Sequence, residues 1–251
     1  MNFTTRKQKE HRSIRAFKNQ ELEQEIIDEL LEVARRTSSS TGLQTTSIIR
    51  VKDQKKRQAV AELCGQAYVA QSSELWVFIV DTYRNNRLAL DKGVDTDAAR
   101  DMDRFFQGFT DGCIMAQNVL TAVESMDLGG VFIGSIHNNP RKMIEILGLP
   151  ELTLPIIALA FGVKDQAPQL KPKMDMSLRV FEDSYKIFDN YLEVFSDYDE
   201  EMQTYYDLRD ANKRVDSFTN QVARQYASPN EMRREIFKVA LEQGFSLEPR
   251  K

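Results

Sequence analysis

Two guanidiniums, an imidazole and a hydroxyl stand within one short stretch, His11-Arg12-Ser13-Ile14-Arg15. An Arg fork donates two parallel bonds to an oxyanion, so two forks beside a hydroxyl and backbone donors suit a phosphate. On a helical turn Arg12 and Arg15 would share one face. A helix pattern begins near Leu22, and cations ahead of a helix's N-terminal end oppose its dipole unless an anion lies between them. The competing reading is a solvated basic segment that pairs with surface carboxylates and contributes little.

Other stretches offer ligand-facing groups. Thr37-Ser38-Ser39-Ser40-Thr41-Gly42 reads as a loop, with hydroxyls and N–H groups turned to a ligand or simply to water. Gln66-Ala67-Tyr68-Val69 is a second loop or turn. In Val131-Phe132-Ile133-Gly134-Ser135, glycine lets a planar ligand approach the backbone, or merely eases a turn. Lys171-Pro172-Lys173 sets two ammoniums on a stiffened loop between Lys164 and Met176. Arg209, Lys213 and Arg214 form a further basic cluster.

No Ser/His/Asp or Cys/His constellation and no paired carboxylates emerge, so no catalytic side chain is assigned. With His11, His137 and the isolated Cys64 and Cys113, no metal-ligand spacing is present and no metal is expected.

These residues need elements to carry them. Leu22, Ile26, Ile27, Leu30, Leu31 and Ala34 predict an amphipathic helix over 20–36. A strand is expected at 47–51 and a helix from Lys52 to Leu63, ending near Cys64-Gly65. The apolar run Leu75–Val80 predicts a central strand buried on both faces, with Trp76 in the core. Residues 84–100 are weakly patterned and imply an excursion or mobile helix. A long helix is expected over 101–126, with Phe105, Phe106 and Phe109 on a stripe wide enough to be central or to face another subunit. Leu128-Gly129-Gly130 marks its end. Pro140 opens a helix to Leu147, Leu154–Phe161 is a further strand, and Glu231–Gln243 a last helix. Strands spaced by helices imply an α/β or α+β sandwich with a mixed sheet.

The chain has 251 residues, 41% apolar and 29% charged, with net charge −4. That is ample for a sizeable core, and it gives no global attraction to nucleic acid or anionic membrane. Two cysteines and a polar first stretch without an apolar run fit a cytoplasmic protein lacking a secretory signal.

Taken in order, the motifs resemble the nitroreductase-like flavoproteins, specifically the NADPH-dependent group of oxygen-insensitive nitroreductases and flavin reductase P. The His-Arg-Ser-Ile-Arg opening carries the resemblance most specifically. The serine loop with Leu43-Gln44, Gly65-Gln66, Gly129–Gly134, Asn138-Asn139 and Leu170-Lys171-Pro172 follow in family order. The resemblance implies an α+β three-layer sandwich with a mixed, mainly antiparallel sheet, as an intertwined homodimer. It implies an FMN-binding core over 1–176 and an extension over 177–251 that wraps core and partner and contributes to nucleotide binding.

It further implies bound FMN, with the phosphate and ribityl chain held by His11, Arg12, Ser13, Arg15 and Lys171. Lys173 stands where the group usually has Arg, keeping the charge and losing the fork. Ser39, Ser40, Gln66, Tyr68, Phe132, Ile133, Gly134 and Ser135 would approach the flavin. Ser135 replaces a second glycine and would narrow the space beside the ring. Arg209, Lys213 and Arg214, after Tyr205-Tyr206, would meet NADPH, with Arg209 on its extra phosphate. A cation near the flavin's pyrimidine side favours the anionic reduced form, and Arg15 is the candidate. The activity implied is ping-pong hydride transfer from NAD(P)H to nitroaromatics, quinones or free flavins. The alternatives are another flavin chemistry on this scaffold, or a non-enzymatic module for a phosphate ligand.

Overall fold

The computed structural model describes residues 2–95, 97–205 and 216–248. In chain order, α1 is Phe3–Lys9, α2 Gln24–Arg35, β1 Thr46–Arg50, α3 Gln54–Cys64, α4 Tyr68–Gln71, β2 Glu74–Asp81, α5 Thr82–Asp91 and α6 Met102–Ser125. There follow β3 Gly129–Ile133, α7 Pro140–Leu147, β4 Thr153–Gly162, α8 Tyr191–Val194, α9 Ser196–Thr204, α10 Phe218–Ala227, α11 Glu231–Arg234 and α12 Ile236–Glu242. None of these helices is long and apolar enough to cross a membrane.

The strands form one sheet in the order β1-β2-β4-β3, every neighbouring pair antiparallel. Among the described residues, parallel pairing is confined to isolated bridges, Ser13 to Gly130 and Asp101 to Ser246. β2 alternates its side chains between two cores. Leu75, Val77 and Ile79 pack with residues of α3 and α7, while Trp76 and Phe78 pack with α2 and α6. Trp76 is fully buried, edge-on to Phe161 at 5.2 Å, and its indole N–H donates to Glu74 at 2.6 Å. Helices on both faces make three layers, the α+β sandwich.

Local chemistry explains the boundaries. Asp53 accepts from the Lys56 N–H and starts α3; Gly65, in the left-handed region at φ 64°, stops it. Asn139 and Pro140 start α7, and Gly148 ends it at φ 66°. The weakly patterned stretch after β2 becomes α5 because Asp81 caps it. Gly129 and Gly130 do not terminate α6 but begin β3; the helix closes at Ser125. Pro155 cannot donate to the ladder, and the register shifts there, so Ile156 is skipped between Pro155 and Ile157.

The chain divides into two compact units, Met1–Ala167 with Asn230–Lys251, and Pro168–Pro229. In the first, the final segment rejoins the core. Val239, Ala240 and Phe245 pack with Phe105, Leu152 and Leu154, and Arg141 of α7 grips Glu242 through two 2.7 Å bonds and also pairs with Glu235. The expected last helix is broken at Glu235 into α11 and α12. The aromatic stripe of α6 splits: Phe105 is buried against Phe245 and Phe109, and Phe106 is 55% exposed. In the second unit, Phe218 stacks on Phe195 at 5.7 Å, and Thr219 hydrogen-bonds Asp199.

Candidate functional site

The basic opening is extended along the sheet and not wound into a helical turn. Ile14 N–H donates to the Gly130 carbonyl at 3.0 Å, Ser13 bridges Gly130, Phe17 bridges Lys164, and Lys18 N–H donates to Val163. Ile14 and Phe17 are the buried anchors, leaving Arg12, Ser13 and Arg15 half-buried between and beside them. Gly129 makes room for this seat, since a Cβ there would lie 2.6 Å from Ile14 Cγ1.

The two arginines have no acid beside them, unlike several others of the chain. Arg50, Arg84, Arg100 and Arg141 each pair with a carboxylate. Arg12 donates to the Glu10 backbone carbonyl two residues back at 2.7 Å, and among the described residues no carboxylate pairs with Arg12 or Arg15. A guanidinium partly withdrawn from water without an anion is electrostatically incomplete. Among the described residues, carboxylate pairing within this segment is found at His11 and not at Arg12 or Arg15.

His11 is engaged: its Nδ1 lies 2.5 Å from Glu124 Oε1, at the last turn of α6. Nearby Asp127 binds Lys164 at 2.6 Å and Lys7 at 3.6 Å, and Lys164 holds its carboxyl below the ordinary value.

The serine loop is pinned from beneath. Buried Asp111 of α6 accepts the Ser40 N–H at 2.9 Å and the Ser40 hydroxyl at 2.8 Å. Thr41, Gly42 and Gln44 all adopt positive φ, so the chain after Ser39 turns sharply. The Tyr68 hydroxyl donates to Gln66 at 2.6 Å, tying those two expected residues together.

Phe132 is half-buried and Ile133 buried, paired with Leu159 and Ala158. A Cβ on Gly134 would meet nothing within 4 Å, so packing does not demand glycine and the backbone there is bare. The Ser135 hydroxyl has no hydrogen-bond partner among the described residues. It is buried, with the Cys64 thiol as its polar neighbour, while burial pushes the Cys64 thiol up. Beneath the same turn, buried His137 donates Nε2–H to the skipped Ile156 carbonyl at 2.8 Å, and burial lowers its pKa.

Lys171 and Lys173 are exposed in the second unit, where Tyr198 donates to the intervening Pro172 carbonyl at 3.3 Å. Arg209, Lys213 and Arg214 lie outside the described residues. Three residues bearing on the site had no motif to reveal them: Glu124, Asp111, and Arg233, whose guanidinium donates to the Gly134 carbonyl at 3.2 Å. Each is tied to a motif residue across more than 70 positions of chain, which no local pattern records. A cleft of about 540 Å³ at the β1–α5 side, lined by Ser47, Asp81, Arg84 and Leu149, contains none of the expected site residues.

An extended basic opening seated on a sheet edge, a pinned serine loop and a bare glycine turn follow the order of one family. Its sequence profile matches residues 9–163, and that of the nitroreductase family C-terminal domain matches residues 171–248. The chain belongs to the nitroreductase family. It is 36% identical over 221 residues to an oxygen-insensitive NADPH nitroreductase of Salmonella typhimurium, spanning 88% of this chain and 89% of that protein. The fold matches nitroreductase A from Vibrio parahaemolyticus with a TM-score of 0.87 and 35% identity, covering 99% of this chain and 100% of that one. The NADPH:FMN oxidoreductase of Vibrio harveyi complexed with NAD+ also matches with a TM-score of 0.87, at 32% identity over 98% of this chain and 100% of that one.

Proposed function

We propose that this chain is an FMN-dependent NADPH oxidoreductase that reduces nitroaromatics, quinones or free flavins. The observation that carries the reading is the half-buried Arg12 and Arg15 without a carboxylate partner among the described residues. The relatives' activities, named for NADPH, a nitro group and FMN, support the same reading.

The residues fit the group. Arg12, Ser13 and Arg15, with His11, offer donors for a dianionic phosphate. Gly134 leaves a bare backbone surface against which a flat ring can lie, and the Ser39–Ser40 loop, Gln66, Tyr68, Phe132, Ile133 and Ser135 supply the remaining wall and donors. Lys171 and Lys173 are assigned to the same cofactor, and Arg209, Lys213 and Arg214 to the nucleotide, both by family resemblance.

FMN, when bound, would supply the hydride-transfer chemistry between a reduced nicotinamide and an electron acceptor. The chain's own work is to bind and orient. Asp111 holds Ser40 in place, Ile14 seats the arginine pair, and Arg233 fixes the Gly134 carbonyl. The working form is inferred to be a cytoplasmic homodimer, a reading supported by the exposed Phe106 and Ile114 on α6.

The test is direct. The purified protein should be yellow, and anaerobic NADPH should bleach it, with colour restored by a nitroaromatic, a quinone or free FMN. A colourless chain that takes up no added FMN would refute the function.

A further inference from the structure

Glu124 is misplaced by the rules of its own helix. It lies in the last turn of α6, where the carbonyl end is already negative and no basic residue offsets it. Its side chain is only 13% exposed. Among the described residues its side chain bonds only His11 Nδ1, at 2.5 Å across 113 positions of chain. A carboxylate is an acceptor only, so Nδ1 carries the hydrogen of that bond and the ring is held by it. The nitrogen left over is Nε2, on the residue that opens the Arg12, Ser13 and Arg15 cluster.

We propose that Glu124 is a positioning residue for the phosphate site. By accepting the His11 Nδ1–H, it orients the ring and favours the imidazolium, whose Nε2–H then donates, with Arg12, Ser13 and Arg15, to the phosphate of the flavin nucleotide. The inference rests on the flavin reading above and adds to it a residue acting through His11. Lys7 of α1 and Lys164 both pair with Asp127, which follows the end of α6. They leave Glu124 to His11.

FMN and riboflavin share the ring and ribityl chain and differ in the phosphate, so their dissociation constants isolate the effect. Both are measured by flavin fluorescence quenching for wild type, Glu124→Ala, Glu124→Gln, His11→Ala and the Glu124→Ala, His11→Ala double variant. Glu124→Ala should weaken FMN about tenfold while changing riboflavin less than about twofold. Glu124→Gln keeps an acceptor oxygen and should lose less, again for FMN alone; it carries the comparison if Glu124→Ala does not fold. Because Glu124 acts through His11, the double variant should be no worse than His11→Ala. Three results would overturn the proposal: FMN affinity within about twofold of wild type in Glu124→Ala, equal losses for both flavins, or additive losses in the double variant. A wild-type chain that binds neither flavin would instead overturn the proposed function itself, and this inference with it.

Discussion

Replacing Gly129 by Ala tests how the arginine pair is held. The new Cβ would lie 2.6 Å from Ile14 Cγ1 and 2.8 Å from both Cβ and Cγ2. Rotating the Ile14 side chain cannot clear a contact to its own Cβ, so the 13–15 backbone must move. Restoring ordinary carbon contacts requires a shift on the order of 0.5–1 Å. Ile14 is buried and bonded to Gly130, so overpacking should cost about 1–3 kcal/mol of stability. The shift carries Arg12 and Arg15 with it and forfeits part of a charged interaction, so FMN binding should weaken about tenfold or more. Riboflavin should be spared. Gly134→Ala is the opposite control: its Cβ meets nothing within 4 Å, so stability should hold, yet FMN and riboflavin should both weaken as the ring's surface is occupied. Urea midpoints and flavin fluorescence titrations give both quantities. Wild-type FMN affinity in folded Gly129→Ala would refute the idea that Ile14 positions the guanidiniums.

Three further outcomes are expected. Burial holds His137 below its ordinary 6.5, so the native state carries fewer protons than the unfolded one just under that pH. Stability should therefore fall as pH drops below 6.5, by at most about 1.4 kcal/mol per unit from this group, and urea midpoints of His137→Gln should lose that share of the slope. Sedimentation should find a dimer that Phe106→Ser with Ile114→Ser weakens, since both side chains are exposed on α6; an active wild-type monomer retaining FMN would contradict it. Arg209→Ala should impair kcat/KM for NADPH far more than for NADH, because an Arg beside the extra phosphate sees charge that NADH lacks; equal losses would remove Arg209 from that role.

The sheet was legible because period-two and unbroken apolar runs are written locally: Leu75–Val80 reads as a doubly buried strand and is one. Helix ends were legible at Cys64-Gly65 and at Pro140, whereas α3 starts at Gln54 behind its Asp53 cap, two residues past the expected Lys52. Where a helix end and a strand start abut, as at Ser125–Gly129, glycine signals both and the boundary moves. α5 was obscured because its cap, Asp81, is also the last residue of β2. The motif residues of the site could be named from sequence, but not what holds them. Ile14 under Gly129, Asp111 under Ser40, Glu124 behind His11 and Arg233 on Gly134 are all distant in chain and visible only once folded. The burial of the Ser135 hydroxyl was not legible either, since it depends on neighbours brought together by the fold.

The central claim is that Arg12 and Arg15 grip the phosphate of FMN. It is tested most directly by titrating FMN and riboflavin into wild type, Arg15→Ala and the Arg12→Ala, Arg15→Ala double variant. Arg15→Ala should lose about 1.5–3 kcal/mol of FMN binding, roughly ten- to a hundredfold in Kd. The double variant should lose more FMN affinity than Arg15→Ala, with riboflavin affinity changed little. FMN affinity unchanged from wild type in a folded double variant would contradict the account.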